Sequence, residues 1–237
     1  AEGLEIWADQ YPYTASSTGL QAALVPGWAQ AGGAAAQTAR LSQPEQRATI
    51  RKEMIENLER RAGAQNVMIK SHRADPSLEG RRLDEIARSR LQEPVDTAID
   101  LLVKGGASII SFNMADRDVD AFMRQPWTMT SSDGGLVEFG SGPEHPRTYG
   151  AFPRKLRRYA LDRGVISIEQ AVHSSSGLTA SVFAIQDRGQ IRVGAYADVL
   201  VFDPKSVNDV ATYEKPHAYS TGMDYVFVNG RAAIANG

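Results

Sequence analysis

The sequence predicts an α/β chain that ends in a small β module. Up to about residue 185, short β-branched segments alternate with segments of helical spacing, which is typical of βα units around a parallel sheet. From about residue 186 onward, short apolar runs are separated by glycines, which is typical of a small β structure. We therefore expect two parts, residues 1–185 and residues 186–237.

Composition narrows the classes of function. The chain has 237 residues, enough for a sizeable core, and its formal net charge of -2 without a basic stripe argues against a nucleic-acid partner. The absence of cysteine excludes disulfides and thiolate metal ligands, and it fits a reducing, cytoplasmic location. No apolar run approaches the ~20 residues that cross a bilayer, so we expect a soluble chain with no membrane partner.

The N-terminal region begins with a strand pattern and continues with an uncharged segment. Apolar and polar residues alternate over residues 4–8, which predicts a strand that delivers Asp9 to a loop. Because a natural N-terminus seldom opens inside such an element, we expect further sequence upstream. Residues 14–39 contain no charged side chain, which is unusual for a solvated loop and indicates a cover over a buried region.

Capping residues and periodicity predict the other elements. Ser42 and Glu45 have the spacing of a capping box, which predicts a helix over residues 43–62. Further helices are expected over residues 83–90, 95–104, 116–124 and 152–162, and from the cap Ser167 onward. Strands are expected over residues 67–70, 107–112, 127–130, 190–193, 198–202 and 225–228.

Asp133 is a candidate catalytic residue because of its place after a predicted strand. It follows the strand over residues 127–130 and precedes two glycines, and α/β barrels carry their catalytic side chains at the carboxyl ends of strands. In this position it could act as a general base. An aspartate that only opens a tight glycine turn has the same pattern, and from these residues alone the turn is the commoner case.

Arg147 and Tyr11 are candidate binding residues. Arg147 lies in a loop rich in Gly and Pro beyond Asp133, and its planar guanidinium matches the shape of a carboxylate. Tyr11 and Tyr13 flank Pro12, which stiffens the backbone and fixes the direction of the two phenols. A surface arginine without a task, and two tyrosines packed beneath a loop, are the alternatives that these patterns leave open.

The histidines lack the spacing of a metal site. His72, His145, His173 and His217 are far apart, with neither a His-x-His nor a His-x-x-x-His pair, so we assign no metal ligand to the chain. The basic run at residues 154–158 is interpreted as the solvated face of a helix.

Three motifs resemble those of the N-acyl-D-amino-acid deacylases, in the same order. They are DQYPYTA at residues 9–15, MTSSDG at residues 129–134 and HPRTYGAFPR at residues 145–154. A fourth, GQIRVGAYADVLVFD at residues 189–203, resembles the tail signature of amidohydrolases in general. The chain is therefore identified as a member of the D-aminoacylase family of the amidohydrolase superfamily, and it resembles the C-terminal half of that family.

The resemblance implies a fold and a cofactor. Residues 1–185 would form the C-terminal part of a distorted (β/α)8 barrel, with a lid insertion over about residues 14–105, and residues 186–237 would form a portion of a small β-sandwich. Zinc would be held by ligands on an N-terminal half or on a second chain. The isolated chain is then expected to hydrolyse no amide and to bind no zinc tightly.

The reaction that the resemblance implies is hydrolysis of the amide bond of N-acyl-D-amino acids. Asp133 would take a proton from the zinc-bound water and pass it to the leaving amine, while Arg147 and Tyr11 would bind the substrate α-carboxylate. Two alternatives are a cyclic-amide hydrolase of the dihydropyrimidinase or hydantoinase kind, and a non-catalytic fragment or subunit that completes a partner chain.

The uncharged segment predicts which substrate side chain is accepted. An acidic side chain under a lid needs a cationic partner, because an unpaired buried carboxylate is costly to desolvate. Residues 14–39 supply no such partner, and the apolar wall expected in its place consists of Leu20, Leu24, Val25 and Trp28. We therefore expect neutral, hydrophobic D-amino acids to be preferred over D-Asp and D-Glu.

Overall fold

The structure, a computed structural model, describes residues 3–237 and is mixed α/β. Within these residues the strands are β1 (Ala8–Gln10), β2 (Ser16–Gly19), β3 (Val67–Ser71), β4 (Ser108–Ser111), β5 (Thr128–Thr130), β6 (Val199–Phe202), β7 (Met223–Val228) and β8 (Arg231–Ala235). The α-helices are α1 (Leu20–Leu24), α2 (Gly27–Gln30), α3 (Gly33–Ser42), α4 (Pro44–Arg60), α5 (Leu83–Ser89), α6 (Pro94–Val103), α7 (Asp116–Met123), α8 (Arg147–Arg154), α9 (Ile168–Ser175) and α10 (Gly177–Val182). A π-helix, Lys155–Asp162, continues directly from α8. In the described part of the chain, no helix is both long and apolar enough to cross a membrane.

The chain forms two compact units. The inserted unit comprises residues 14–114 and 142–145, and the main unit comprises residues 3–13, 115–141 and 146–237. The inserted unit overlaps most of the segment that was expected to form a lid. The lid role and the expected boundary near residue 185 remain predictions.

The inserted unit is a three-stranded antiparallel sheet packed against helices. The central strand β4 pairs with β2 on one side and with β3 on the other. Ile50, Met54 and Leu58 lie at helical spacing along α4 and are buried in the core cluster with Ile69 and Ile109 of the sheet. Burial of these side chains removes apolar surface from water, which is the main favourable contribution to the stability of the unit.

Two expectations for the inserted unit are wrong. The strands near residues 67–70 and 107–112 exist, but they pair antiparallel and do not belong to a parallel sheet. Leu20, Leu24 and Val25 do not form an open apolar wall, because α1 buries them in the core cluster and leaves Trp28 as the exposed member of the expected set. Alanine, the commonest residue of this segment, is a good helix former, so the stretch after β2 folds into short helices.

The helix predicted over residues 43–62 is confirmed as α4, but its predicted cap is wrong. Ser42 is the last residue of α3, where its hydroxyl donates to the Thr38 carbonyl at 2.8 Å. The N-cap of α4 is Gln43, and Pro44 occupies the first helical position, where the missing N–H of proline costs nothing.

The main unit contains a parallel strand pair, a group of helices and a separate antiparallel sheet. β1 and β5 pair in parallel, and α9 packs on β5. Helices α7 and α9 and the π-helix share a buried cluster that includes Val119, Leu156, Tyr159 and Ala171. Strands β6, β7 and β8 form the antiparallel sheet, with β7 in the centre.

Local signals located several elements of the main unit. The predicted helix at residues 116–124 and the predicted strand at residues 127–130 correspond to α7 and β5. Ser167 caps α9 as predicted, since its hydroxyl accepts a hydrogen bond from the Gln170 N–H at 3.1 Å. The short turn and cap signals therefore fixed these boundaries well.

Two predicted strands of the main unit are wrong. Residues 4–7 form no strand, and β1 starts at Ala8, where β5 supplies a backbone partner. Residues 190–193 also form no strand, and the side chains of Ile191 and Val193 are almost fully exposed. In both segments apolar residues alternate along the chain, but alternation makes a strand only where a neighbouring strand is available.

Candidate active site

Two parallel strands deliver two predicted site residues to the same edge. Ala8 of β1 lies opposite Thr128 of β5, and the pairing extends one step beyond the strands, where the Ser131 N–H donates to the Gln10 carbonyl at 3.1 Å. Tyr11 follows β1 directly, and Asp133 follows β5 after two residues. Because the strands are parallel, both side chains leave from the carboxyl edge of the pair, where α/β folds usually place functional groups.

The backbone at Asp133 is held in an uncommon conformation. Its φ of 46° lies in the left-handed region, which aspartate and asparagine tolerate better than other non-glycine residues. A Cβ atom on Gly134 would lie 2.8 Å from the Cα of Thr148, so only glycine allows the loop to pass this close to α8. The loop therefore presents Asp133 at the beginning of that helix.

Asp133, Arg147 and Tyr11 lie together. Arg147 Nη2 and Asp133 Oδ2 are 2.8 Å apart, with 9% of the arginine side chain exposed and 62% of the aspartate side chain exposed. The guanidinium carbon of Arg147 lies 4.7 Å from the centroid of the Tyr11 ring, which is a cation–π distance. A buried cation thus holds a carboxylate whose side chain remains largely open to water.

Arg147 was expected in a loop, and this expectation is wrong because α8 begins at Arg147 itself. A cation at the N-terminus of a helix is opposed by the helix dipole. The nearby carboxylate of Asp133 offsets that unfavourable interaction. The motif that contains Pro146 gives a sequence reason for the early start, since proline is favoured at the beginning of helices.

Tyr11 remains a hydrogen-bond donor at neutral pH. Burial raises the pKa of its phenol above the ordinary value, and the charge of Asp133 raises it further. The charge of Arg147 and a hydrogen bond with it act in the opposite direction, but the net pKa is raised. The Tyr11 hydroxyl is therefore protonated at neutral pH.

Arg154 supports the loop that carries Tyr11. Its Nε donates to the Pro12 carbonyl at 2.9 Å, and its Nη1 lies 2.7 Å from Asp209 Oδ2. Its guanidinium carbon also lies 4.6 Å from the centroid of the Tyr13 ring. A Cβ on Gly150 would lie 2.7 Å from the Tyr13 hydroxyl oxygen, so helix and loop pack without space between them.

The side chain of Lys155 holds Thr130, the last residue of β5, in place. Its side chain is buried, and its Nζ donates to Thr130 Oγ1 at 2.6 Å and to Ser174 Oγ at 2.7 Å. Ser175 Oγ also donates to Thr130 Oγ1, at 2.9 Å. No carboxylate of residues 3–237 lies within ion-pair distance of this ammonium group, and burial lowers the pKa of Lys155 to about 8.

The solvated-face interpretation of residues 154–158 is therefore wrong for its first two members. Arg157 and Arg158 are part-exposed and lie near Asp162 and Asp116, as a solvated face requires. Lys155 and the buried Tyr159 lie four residues apart, so both fall on the apolar stripe of the helix. That spacing was the signal in the sequence that could have identified Lys155 as buried.

A cluster of aromatic side chains holds the far end of the Asp133 loop. Phe139 stacks on Tyr219 with ring centroids 4.6 Å apart, and the Tyr149 hydroxyl lies 3.1 Å from His217 Nδ1. The Gly140 N–H donates to the same His217 nitrogen at 3.2 Å. The loop is thus fixed at both ends, by α8 near its start and by this cluster near its end.

The described residues do not fit a metal site. Two of the histidines serve the backbone instead: His72 Nδ1 lies 2.8 Å from the Gly106 carbonyl, and His145 Nε2 lies 3.1 Å from the Ala15 carbonyl. Over residues 3–237, no three side chains of His, Cys, Asp or Glu are grouped so that they could hold a metal ion.

Comparison with known proteins identifies the family. Residues 45–234 match the sequence profile of the Amidohydrolase family. The chain belongs to the amidohydrolase family. It is 41% identical over 155 residues to the D-aminoacylase of Alcaligenes xylosoxydans xylosoxydans, an alignment that covers 65% of this chain and 31% of that protein. The resemblance to the N-acyl-D-amino-acid deacylases is thereby confirmed.

Solved structures give the same family. A structure of D-aminoacylase from work on its binuclear metal centre has a TM-score of 0.74 at 32% identity, covering 99% of this amidohydrolase chain and 40% of the other. The N-acyl-D-glutamate deacylase of Bordetella bronchiseptica, in complex with zinc and a phosphonate mimic of the tetrahedral intermediate, has a TM-score of 0.73 at 30% identity and covers 98% and 40%. The chain thus spans well under half the length of the proteins that it matches.

Lys155 predicts a pH-dependent stability. The pKa of Lys155 is about 8 in the folded chain against an ordinary 10.5, so the unfolded chain binds more protons between these values and stability rises with pH there. This group should add on the order of 3 kcal/mol to the free energy of unfolding across that window. Urea unfolding at about pH 7.5 and about pH 9.5 should show the rise in the wild type but not in Lys155→Met.

The exposed Lys205→Met variant is the matched control for this prediction, and it should keep the wild-type pH dependence. Buried tyrosines such as Tyr213, whose pKa burial raises to about 12, titrate equally in all three proteins. If Lys155→Met and the wild type gained the same stability between the two pH values, burial of a titrating Lys155 would be excluded.

Proposed function

We propose that this chain supplies the substrate-binding and proton-transfer part of an enzyme that hydrolyses the amide bond of N-acyl-D-amino acids. The observation that carries the proposal is the group formed by Asp133, Arg147 and Tyr11. It combines an accessible carboxylate, which can accept a proton, with a buried guanidinium, which can bind a carboxylate. The two named relatives are a D-aminoacylase and an N-acyl-D-glutamate deacylase, which supports this reaction class.

Arg147 is assigned to the α-carboxylate of the substrate. Its planar fork can donate two parallel hydrogen bonds to a carboxylate, and its burial makes the interaction stronger than it would be in water. The Tyr11 ring fixes the plane of the guanidinium, and the protonated Tyr11 hydroxyl can donate a further hydrogen bond. Together these groups orient the amide carbonyl for attack.

Asp133 is assigned to proton transfer. Its carboxylate accepts a proton from the attacking water while the hydroxide oxygen adds to the amide carbon. The same proton then passes to the amide nitrogen as the carbon–nitrogen bond breaks, which releases the free carboxylate of the acyl group and the D-amino acid. The side chain of Asp133 is mostly exposed, and we propose that its rotation serves both positions.

The metal ligands and the remaining fold are assigned outside the described residues. The related N-acyl-D-glutamate deacylase structure contains zinc, and residues 3–237 group no ligand set of their own. We propose that an N-terminal half or a second chain contributes the zinc ligands, and that this chain alone neither binds zinc tightly nor hydrolyses amides. The proposal also includes a partial (β/α)8 barrel with a lid over about residues 14–105, which the β1–β5 pair supports. It includes a β-sandwich portion over residues 186–237, which the β6–β8 sheet supports.

Replacing Asp133 by asparagine tests the proton-transfer role. Asparagine tolerates the left-handed backbone at this position but cannot accept the proton, so kcat of the complete enzyme should fall about 10²-fold or more. Asp187→Asn is the matched control, because Asp187 is also left-handed, with φ of 55°, and lies in the exposed loop before β6. Steady-state hydrolysis of an N-acetyl-D-amino acid measures both. Near-normal turnover in Asp133→Asn would reduce Asp133 to a turn residue.

Replacing Arg147 by lysine tests the carboxylate-binding role. Lysine keeps the charge but loses the fork, so kcat/KM should drop at least about fivefold, equivalent to ~1 kcal/mol. Arg157→Lys, a part-exposed arginine of the π-helix, should leave kcat/KM unchanged. Equal effects of the two substitutions would contradict a role for Arg147 in substrate recognition.

The proposed preference for neutral, hydrophobic D-amino acids rests on composition. Residues 14–39 contain no charge that could pair with an acidic side chain, although most of the apolar residues there are buried in the inserted unit. We expect higher kcat/KM for N-acetyl-D-Leu and N-acetyl-D-Met than for N-acetyl-D-Asp and N-acetyl-D-Glu. A higher kcat/KM for the acidic pair in the complete enzyme would refute this preference.

A further inference from the structure

Arg147 already has an anion, and this anion is the proposed base. Its Nη2 lies 2.8 Å from Asp133 Oδ2. Both bidentate edges of a guanidinium, the end formed by Nη1 and Nη2 and the side formed by Nε and Nη2, include Nη2. A substrate carboxylate that binds either edge therefore meets a like charge at the same nitrogen.

The two partners of the ion pair differ in how easily they move. Arg147 is buried, starts α8 and lies against the Tyr11 ring, so its position is fixed by packing. The backbone at Asp133 is fixed, but its side chain is mostly exposed and can move by rotation. The exposed side chain of Asp133 can turn away into water, so a competing carboxylate can replace it without moving Arg147.

We infer that the substrate carboxylate and Asp133 exchange on Arg147, so that substrate binding itself releases the base. This inference rests on the proposed function and adds a coupling between recognition and catalysis. While its carboxylate is held on Arg147, Asp133 is not turned toward the attacking water, and displacement by the substrate lets its side chain rotate there. The carboxylate of the substrate then acts on turnover as well as on affinity.

The exchange distinguishes substrates with and without a carboxylate. N-acetyl-D-leucine carries one, whereas its decarboxylated analogue N-isopentylacetamide does not and would leave Asp133 bound to Arg147. Loss of a simple binding contact would raise KM and leave kcat unchanged. Loss of a group that releases the base lowers kcat, and a small free carboxylate that binds Arg147 should restore it.

The first experiment is rescue by formate in the complete enzyme. We expect a low kcat for N-isopentylacetamide that rises about tenfold or more, with saturation, as formate is added. Formate should inhibit hydrolysis of N-acetyl-D-leucine competitively, and Arg147→Met should abolish the rescue. Hydrolysis of N-acetyl-D-leucine together with no effect of formate on N-isopentylacetamide would overturn the exchange. Absence of N-acetyl-D-leucine hydrolysis would instead overturn the proposed function, so the two failures are distinguishable.

The second experiment measures binding without turnover. Isocaproate keeps the leucine side chain and the carboxylate but has no amide bond, so its Kd can be compared in the wild type and in Asp133→Asn by calorimetry. Removal of the competing anion should tighten isocaproate binding about fivefold. Neutral isocaproamide, the matched control ligand, should bind both proteins equally. Weaker or unchanged isocaproate binding would show that Asp133 is a fixed brace for Arg147, and the exchange would be wrong.

Discussion

The parallel pairing of β1 with β5 is the constraint on which the candidate site depends. It sets Ala8 beside Thr128, and so it brings a residue near the start of the described chain and a residue past its middle to one edge. Each strand is only three residues long, and so short a pair is marginal by itself. The geometry of Tyr11 and Asp133 therefore depends on what holds the two strand ends in place.

One helical segment provides that support. Arg154 fixes the loop after β1 through the Pro12 carbonyl, and Lys155 fixes the last side chain of β5 through Thr130. At the start of the same segment, Arg147 reaches the loop that follows β5. Three cations within nine residues thus have three separate anchoring contacts. Arg147 and Lys155 are buried and Arg154 is partly buried, at a cost that hydrogen bonds or an acidic partner offset.

Sequence reasoning predicted the elements whose signals are local. The helix α4 and the cap Ser167 follow from apolar spacing and capping residues, which act over a single turn. Asp133, Arg147 and Tyr11 were predicted from motifs, and the structure brings them together. Their contact could not be derived from the residues, because it depends on strand pairing between distant segments.

The predictions that were wrong also concern contacts between distant segments of the chain. Residues 4–7 and 190–193 alternate correctly but find no partner strand. Lys155 looked like a solvated charge because composition says nothing about what covers a helix face. Its burial depends on α9, which packs on the π-helix, and Ser174 of α9 and Thr130 of β5 supply the two hydroxyl acceptors of its ammonium group.

The π-helix after α8 also restricts how this part of the gene can change. Its backbone bonds reach one residue further than those of an α-helix, as in the Arg163 N–H that donates to the Arg158 carbonyl at 3.1 Å. A chain one residue shorter between 155 and 162 would return to ordinary α spacing and change the directions of the side chains beyond the deletion relative to those before it. Tyr159 would then leave the core, or Lys155 would lose its hydrogen bond to Thr130 of β5. The length of this segment is therefore a structural constraint of its own, since a single-codon deletion would disturb the packing even with every remaining residue kept.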